Sequence, residues 1–235
     1  MSGHSHWSTI KHKKQANDQQ KGREFSKVSR EIMLAVSLGG NIVDSEKNVR
    51  LRAAIEKAKE VNMPKENINR LLDRIKERKE QVSEVAYEAL LFANITAIIK
   101  TATDNSRRTQ TDLKIILDKF GGKLVEKGAV MHGYSLFTLF KIDSQNETEI
   151  LELIEALSAI DFSKEEDGYY IYVPLSQFSE AWNKATQLGF NKAPELVYKP
   201  KALIEVDEKT AEKAYELAEK ILSVDEVQDI YLNIA

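Results

Sequence analysis

The chain contains no cysteine, which removes disulfides, thiolate nucleophiles, iron–sulfur ligation and cysteine-based zinc sites together. No apolar run approaches the roughly 20 residues that a membrane-spanning helix needs. Met1–Trp7 has no hydrophobic segment of the kind that opens a secretory signal. A cytosolic, non-membrane protein is therefore the default expectation. There is no glycine-rich phosphate loop and no histidine–carboxylate constellation. Beyond residue 12 the only histidine is His132, read as a surface group. Glu165, Glu166 and Asp167 precede Gly168 in an expected turn, where they read as solvated charge. Neither catalysis nor a cofactor, metal or small-molecule substrate is expected.

What is present is enough apolar material, 42% of 235 residues, to build packed cores in more than one domain. The net charge of −3 comes from 34 Lys and Arg against 37 Asp and Glu. Taken whole, that balance argues against a nucleic-acid partner. Divided, it argues for one. Residues 1–80 hold 18 basic and 11 acidic groups, whereas residues 131–200 hold five and eleven and residues 201–235 four and nine. A basic head on an acidic body orients towards a polyanion by one end.

The head opens on a polar, basic stretch, His4 to Lys14, with no helical or strand periodicity, which reads as a mobile arm entering a helix near Lys11 or Gln15. Phe25, Val28, Ile32 and Ala35 then recur at helical spacing, with Lys21, Arg23, Lys27 and Arg30 on the remaining surface. Gly39-Gly40 ends this helix. Asp44 or Ser45 is expected to cap a second helix, with the apolar stripe Val49, Leu51, Ala54, Ile55, Ala58 and Val61. Pro64 suits the first turn of a third, whose buried face is Ile68, Leu71, Leu72 and Ile75. Three such helices share a small core. Lysine and arginine release counterions from phosphates, and Trp7 is suited to stack on an exposed base. Nothing marks a base-reading helix, so the expected contact is with backbone or shape.

The body reads as α+β. A strand at Ile95–Ile99 leads through Thr101–Asn105 to a helix at Thr109–Phe120, stopped by Gly121-Gly122, with short strands at Leu124-Val125 and Ala129–Met131. A second β-α-β-α-β unit spans roughly 135–198, its strands at Leu136–Ile142, Tyr169–Val173 and Leu196–Tyr198. Its helices are lined by Ile150, Leu153, Ile154 and Leu157, and by Phe178, Trp182, Ala185 and Leu188. A strand at Leu203–Val206, a helix at Thr210–Leu222 and a strand at Val227–Leu232 follow. Each small sheet with helices on one face reads as ferredoxin-like. At the strand-to-helix junction Asp104–Arg108, helix amides and guanidinium groups are placed to receive an anion.

Several segments together resemble the YebC/PmpR family, which includes mitochondrial translational activators of cytochrome c oxidase. They are Gly3–Trp7, Ile10–Lys14, Phe25–Lys27, Arg30–Ile32, Gly39-Gly40, Asn48, Leu51–Ile55, Asn62–Ile68, Thr103–Thr109, Gly121–Leu124 and Asp225–Gln228. The resemblance implies a helical domain at 1–80, a central α+β domain built from 81–134 plus 200–235, and a third α+β domain, 135–199, inserted between those halves. It also implies a nucleic-acid-binding regulator of gene expression, acting on promoter DNA or, as a translation factor, on ribosomal or messenger RNA at the ribosome to relieve stalling at proline-rich stretches. The contact positions it implies are His4, Trp7, Lys11, His12, Lys13, Lys14, Lys21 and Lys27, with Arg107 and Arg108 from the junction. A protein–protein scaffold built on the acidic domains is the competing reading. The chain departs from the family in having His6 for lysine, Ala89–Asn94 for a glycine-rich turn after Tyr87-Glu88, and Met131–Tyr134 after Gly128–Val130. The second change is expected to lengthen a strand.

Overall fold

The computed structural model describes residues 18–77, 81–143, 146–165, 168–190 and 194–234, with the side chains of 18–21 outside that set. In chain order the elements are α1 (Asp18–Leu38), α2 (Val49–Glu60), α3 (Lys65–Lys76), β1 (Ser83–Leu90), β2 (Thr96–Thr103), α4 (Ser106–Phe120) and β3 (Lys123–Val125). Then come β4 (Tyr134–Ile142), α5 (Glu147–Ala156), β5 (Asp161–Glu165), β6 (Gly168–Pro174), α6 (Phe178–Gln187), β7 (Glu195–Pro200), α7 (Glu208–Leu222) and β8 (Val227–Leu232). The described residues fall into two compact units, 18–132 with 204–234, and 133–203. None of the described helices is long and apolar enough to cross a membrane.

The helical head assembles as its periodicity predicts. Val28, Ile32, Ala35 and Val36 of α1 meet Leu51, Ala54 and Ala58 of α2 and Ile68 and Leu71 of α3, with Met63 closing the core between them. Each fully buried large aliphatic side chain contributes about 1.5–3 kcal/mol. Helix α1 stops at the glycine pair, where Gly40 takes a φ of +74° and the Asn41 N–H returns to Val36 O at 2.8 Å. The cap of α2 is Asn48, not Asp44 or Ser45. Its Oδ1 accepts the Leu51 N–H at 3.1 Å, while Asp44 closes the preceding turn by accepting from Glu46 and Asn48. Val49 consequently sits half-exposed outside the stripe. Pro64 is the residue before α3 rather than in its first turn. The expected helix start near Lys11 or Gln15 lies outside the described residues.

The sheet of this first unit has the antiparallel order β3-β1-β2-β8. Strand β2 is central, and Ala97, Ile98, Ile99, Thr101, Ala102 and Thr103 are all buried. Leu113 and Leu117 of α4, with Ala214, Leu217, Ala218 and Ile221 of α7, supply the helical layer. The apolar segment at 89–94 extends one strand, and only by Ala89 and Leu90, which end β1. Leu90 pairs with Thr96, and the chain turns through Phe92–Asn94, with Ala93 and Asn94 at φ of +53° and +60°.

Ala129–Met131 is not a strand. The buried carboxylate of Glu88 accepts the N–H groups of Gly128, Val130 and Met131 at 2.5, 2.6 and 2.8 Å, so these donors are not free to form a ladder. Leu203–Val206 is reduced to a single bridge between Ile204 and Ile234.

The second unit follows β-α-β-β-α-β in chain order and forms an antiparallel sheet, β5-β6-β4-β7. It has four strands rather than three. Strand β5 is an edge strand whose Asp-Phe-Ser-Lys-Glu sequence carries little apolar signal. Phe140, Ile142, Ile150, Leu153, Leu157, Tyr169, Ile171 and Val173 form its core with Ala181 and Ala185. Phe178 and Leu188 are exposed, and the small Ala181 faces inward in their place. Gly168 has a φ of +132°, and a Cβ there would lie 2.4 Å from Ile142 O, so only glycine fits. The whole is α+β, a helical region followed by antiparallel sheets with helices.

Candidate nucleic-acid interface

Six of the expected contact positions, His4, Trp7, Lys11, His12, Lys13 and Lys14, lie outside the described residues, as does the side chain of Lys21. Lys27 is half-buried on α1. Arg30, one turn further on, does not face solvent as the spacing suggests. Its side chain is 16% exposed and turns towards the sheet, where Nη1 donates to Ala102 O at 3.4 Å and Nη2 to Glu226 Oε1 at 3.1 Å.

On the rest of the head, Arg50, Arg52 and Lys59 of α2 and Lys65, Arg70, Arg74 and Lys76 of α3 are exposed. Arg52 staples the preceding loop, donating to Ser45 O and Glu46 O at 3.1 and 3.0 Å. Lys57 is paired with Glu31 at 2.8 Å and ties α2 to α1. The basic residues are interleaved with exposed Glu56, Glu60, Glu66, Asp73 and Glu77, so neither helix has an outer face of one sign.

The Asp104–Arg108 junction is a tightly capped helix start. Asn105 Oδ1 accepts the Arg108 N–H at 3.1 Å, and Thr103 Oγ1 accepts the Asn105 N–H at 3.0 Å while sharing a 2.8 Å hydrogen bond with Thr109. The Tyr87 hydroxyl donates to Ser106 O at 2.7 Å from the neighbouring strand. Arg107 is exposed here. Arg108 is engaged from inside: Nη2 donates to Asp104 Oδ1 and to Glu226 Oε1, both at 2.8 Å. The hydrogen bond to Glu226 and the Asp104 charge raise its pKa further, so it stays cationic throughout the working range. Position 226 is not among the expected contact residues. Its own segment resembles the family, but only the folded chain puts it beside residues 30 and 108.

His132 is exposed, with Nδ1 3.4 Å from Gly128 O. Among the described residues no group of three His, Asp or Glu side chains is placed to hold a metal ion.

Compared with known proteins, residues 5–78 match the family model described as the TACO1/YebC protein N-terminal domain, and residues 82–234 match the TACO1/YebC second and third domain. The chain belongs to the TACO1/YebC family. A TACO1/YebC relative from Thermotoga petrophila, named "Probable transcriptional regulatory protein", is 36% identical over 240 residues, covering 99% of this chain and 93% of its own. Another of that name, from Chlamydia pneumoniae, is 33% identical over 240 residues and is matched over 100% of both chains. The crystal structure of a conserved hypothetical protein from Aquifex aeolicus superposes with a TM-score of 0.85 at 33% identity, covering 98% of this chain and 97% of that one. TACO1/YebC membership therefore extends over the helical head and both sheets.

Proposed function

We propose that this protein is a non-catalytic regulator of gene expression that acts in translation, its basic head binding ribosomal or messenger RNA at the ribosome. The observation that carries this reading is full-length family membership joined to a head with 18 basic and 11 acidic groups in residues 1–80. The relatives' names point to transcription. The form of the head favours RNA. Control at a promoter requires base edges to be read in a groove, usually by a helix whose face is free to enter it. Helix α1 is engaged by the head core and by the sheet, and α2 and α3 have outer faces of mixed sign. Contact with the backbone of a folded RNA needs shape and charge but no such helix. The proposed contacts are His4, Trp7, Lys11, His12, Lys13, Lys14, Lys21 and Lys27, with Arg107 and Arg108 secondary. The proposed domains are 1–80, 81–134 with 200–235, and 135–199.

Crosslinking in cells followed by sequencing of the bound nucleic acid tests the choice. Enrichment of 23S ribosomal RNA is the expected outcome, together with increased ribosome occupancy at consecutive proline codons when the protein is removed. Enrichment at promoters instead would replace this reading by the DNA-directed one.

A further inference from the structure

The head meets the sheet through a small apolar contact and a compact group of charges. Leu34, Val82 and Ala102 are buried together with Met33 packed against them. Beside this contact, one oxygen of Glu226 receives two guanidinium groups, Arg30 Nη2 at 3.1 Å and Arg108 Nη2 at 2.8 Å. The Glu226 side chain is only 9% exposed, and its backbone O accepts the Ala102 N–H at 2.8 Å, so the carboxylate is anchored where β8 begins. Arg108 is held from its other side by Asp104. The Nε of Arg30 is buried without a hydrogen-bond partner, so this guanidinium is held at the sheet through Nη1 and Nη2. Three segments distant in the chain thus meet at one carboxylate.

We propose that Glu226 is a positioning residue: by bridging Arg30 of the head and Arg108 of the sheet unit, it fixes the direction in which the basic head presents itself to RNA. This rests on the RNA-binding reading above. It makes a prediction opposite to simple charge counting. Removing a carboxylate reduces repulsion of a polyanion and should strengthen binding. If the carboxylate orients the head, its removal leaves Arg30 without its counter-charge and weakens binding.

The absence of cysteine makes the orientation measurable. Spin labels on Glu56→Cys in α2 and Glu212→Cys in α7 report the head-to-sheet distance in an otherwise thiol-free chain. In this background one narrow distance distribution is expected, and it broadens or shifts in Glu226→Gln. Affinity for deproteinised 23S ribosomal RNA should fall by roughly tenfold. Arg30→Met should give the same broadening, and combining the two substitutions should add little, because both remove one interaction. Circular dichroism and urea unfolding identify a variant that has failed to fold; if that is Arg30→Met, Arg30→Gln, which also removes the charge but keeps a polar side chain, replaces it. An unchanged distance distribution in Glu226→Gln, or RNA affinity that rises, overturns the proposal. If the unsubstituted protein does not retain the RNA, the functional reading fails, and the distances alone decide the role of Glu226.

Discussion

Asn48 occupies the space where a side chain at Gly39 would stand. A Cβ built on Gly39 would lie 2.2 Å from Asn48 Nδ2. The buried amide is fully used: Nδ2 donates to Ala35 O and Ile42 O at 3.1 and 2.9 Å, and Oδ1 accepts from Leu51. One side chain therefore joins the end of α1, the loop and the start of α2. Gly39→Ala is expected to destabilise the head by about 1–3 kcal/mol, since Asn48 must move and give up its hydrogen bonds to Ala35 O and Ile42 O. Asn48→Asp is the sharper test. Aspartate caps a helix as well as asparagine does, so a purely capping role predicts little change. Because the new carboxylate would face two carbonyl oxygens, a clear loss in thermal unfolding is expected instead.

Glu88 gives a prediction that depends on pH. Burial pushes its carboxyl up, but the N–H groups of Gly128, Val130 and Met131 outweigh that effect, His132 adds to them, and the group is held below the ordinary glutamate range. With the folded pKa below the unfolded one, its contribution is present above the ordinary value of about 4.3 and is lost as pH falls through the folded pKa. Glu88→Gln keeps one acceptor and places an NH2 group against backbone donors. At neutral pH it should lower stability by about 1–3 kcal/mol. The difference from the unsubstituted protein should narrow below roughly pH 4. Urea unfolding across a pH series checks this, and a difference that stays constant with pH would contradict it.

In the second unit Phe140 is 2% exposed and central to the core. Phe140→Ala removes most of an aromatic ring from a packed site and is expected to destabilise that unit by about 3–5 kcal/mol. Hydrogen exchange should show reduced protection in β4 and β6. A change of under about 1 kcal/mol would mean that the core relaxes into the space.

Replacing Lys11, Lys13 and Lys14 together by alanine should weaken binding to ribosomal RNA regardless of sequence. The dependence of log affinity on log salt should become shallower by about 2–3, at roughly 0.7–0.9 for each phosphate no longer neutralised. Salt-insensitive binding of the unsubstituted protein would rule out the electrostatic account.

The elements legible in the sequence are those with one strongly buried face. Phe25, Val28, Ile32 and Ala35 mark α1, and Leu113 and Leu117 mark α4, because each packs in a single direction. Strand β5 is not legible, since an edge strand with one neighbour carries few apolar residues. Ala129–Met131 looks like a strand by composition, but the Val130 and Met131 N–H groups are consumed by Glu88, 42 and 43 positions earlier in the chain, and that of Ala129 by Glu126 O. Arg30 reads as a surface cation because its partner, Glu226, stands 196 residues further on. Local pattern carries the helices and central strands. Polar contacts between distant segments decide where the charges act.

The pairing of β2 with β8 also fixes an order of events in synthesis. Ala97 is paired with Leu232, and the Thr96 N–H meets Asn233 Oδ1 at 2.7 Å across 137 positions of the chain. The strands of 133–203 pair only with one another, so that unit can close as soon as it emerges. The first sheet cannot. While the intervening residues are being made, β2 keeps one edge unpaired, and it stays open to a wrong strand until β8 leaves the ribosome tunnel.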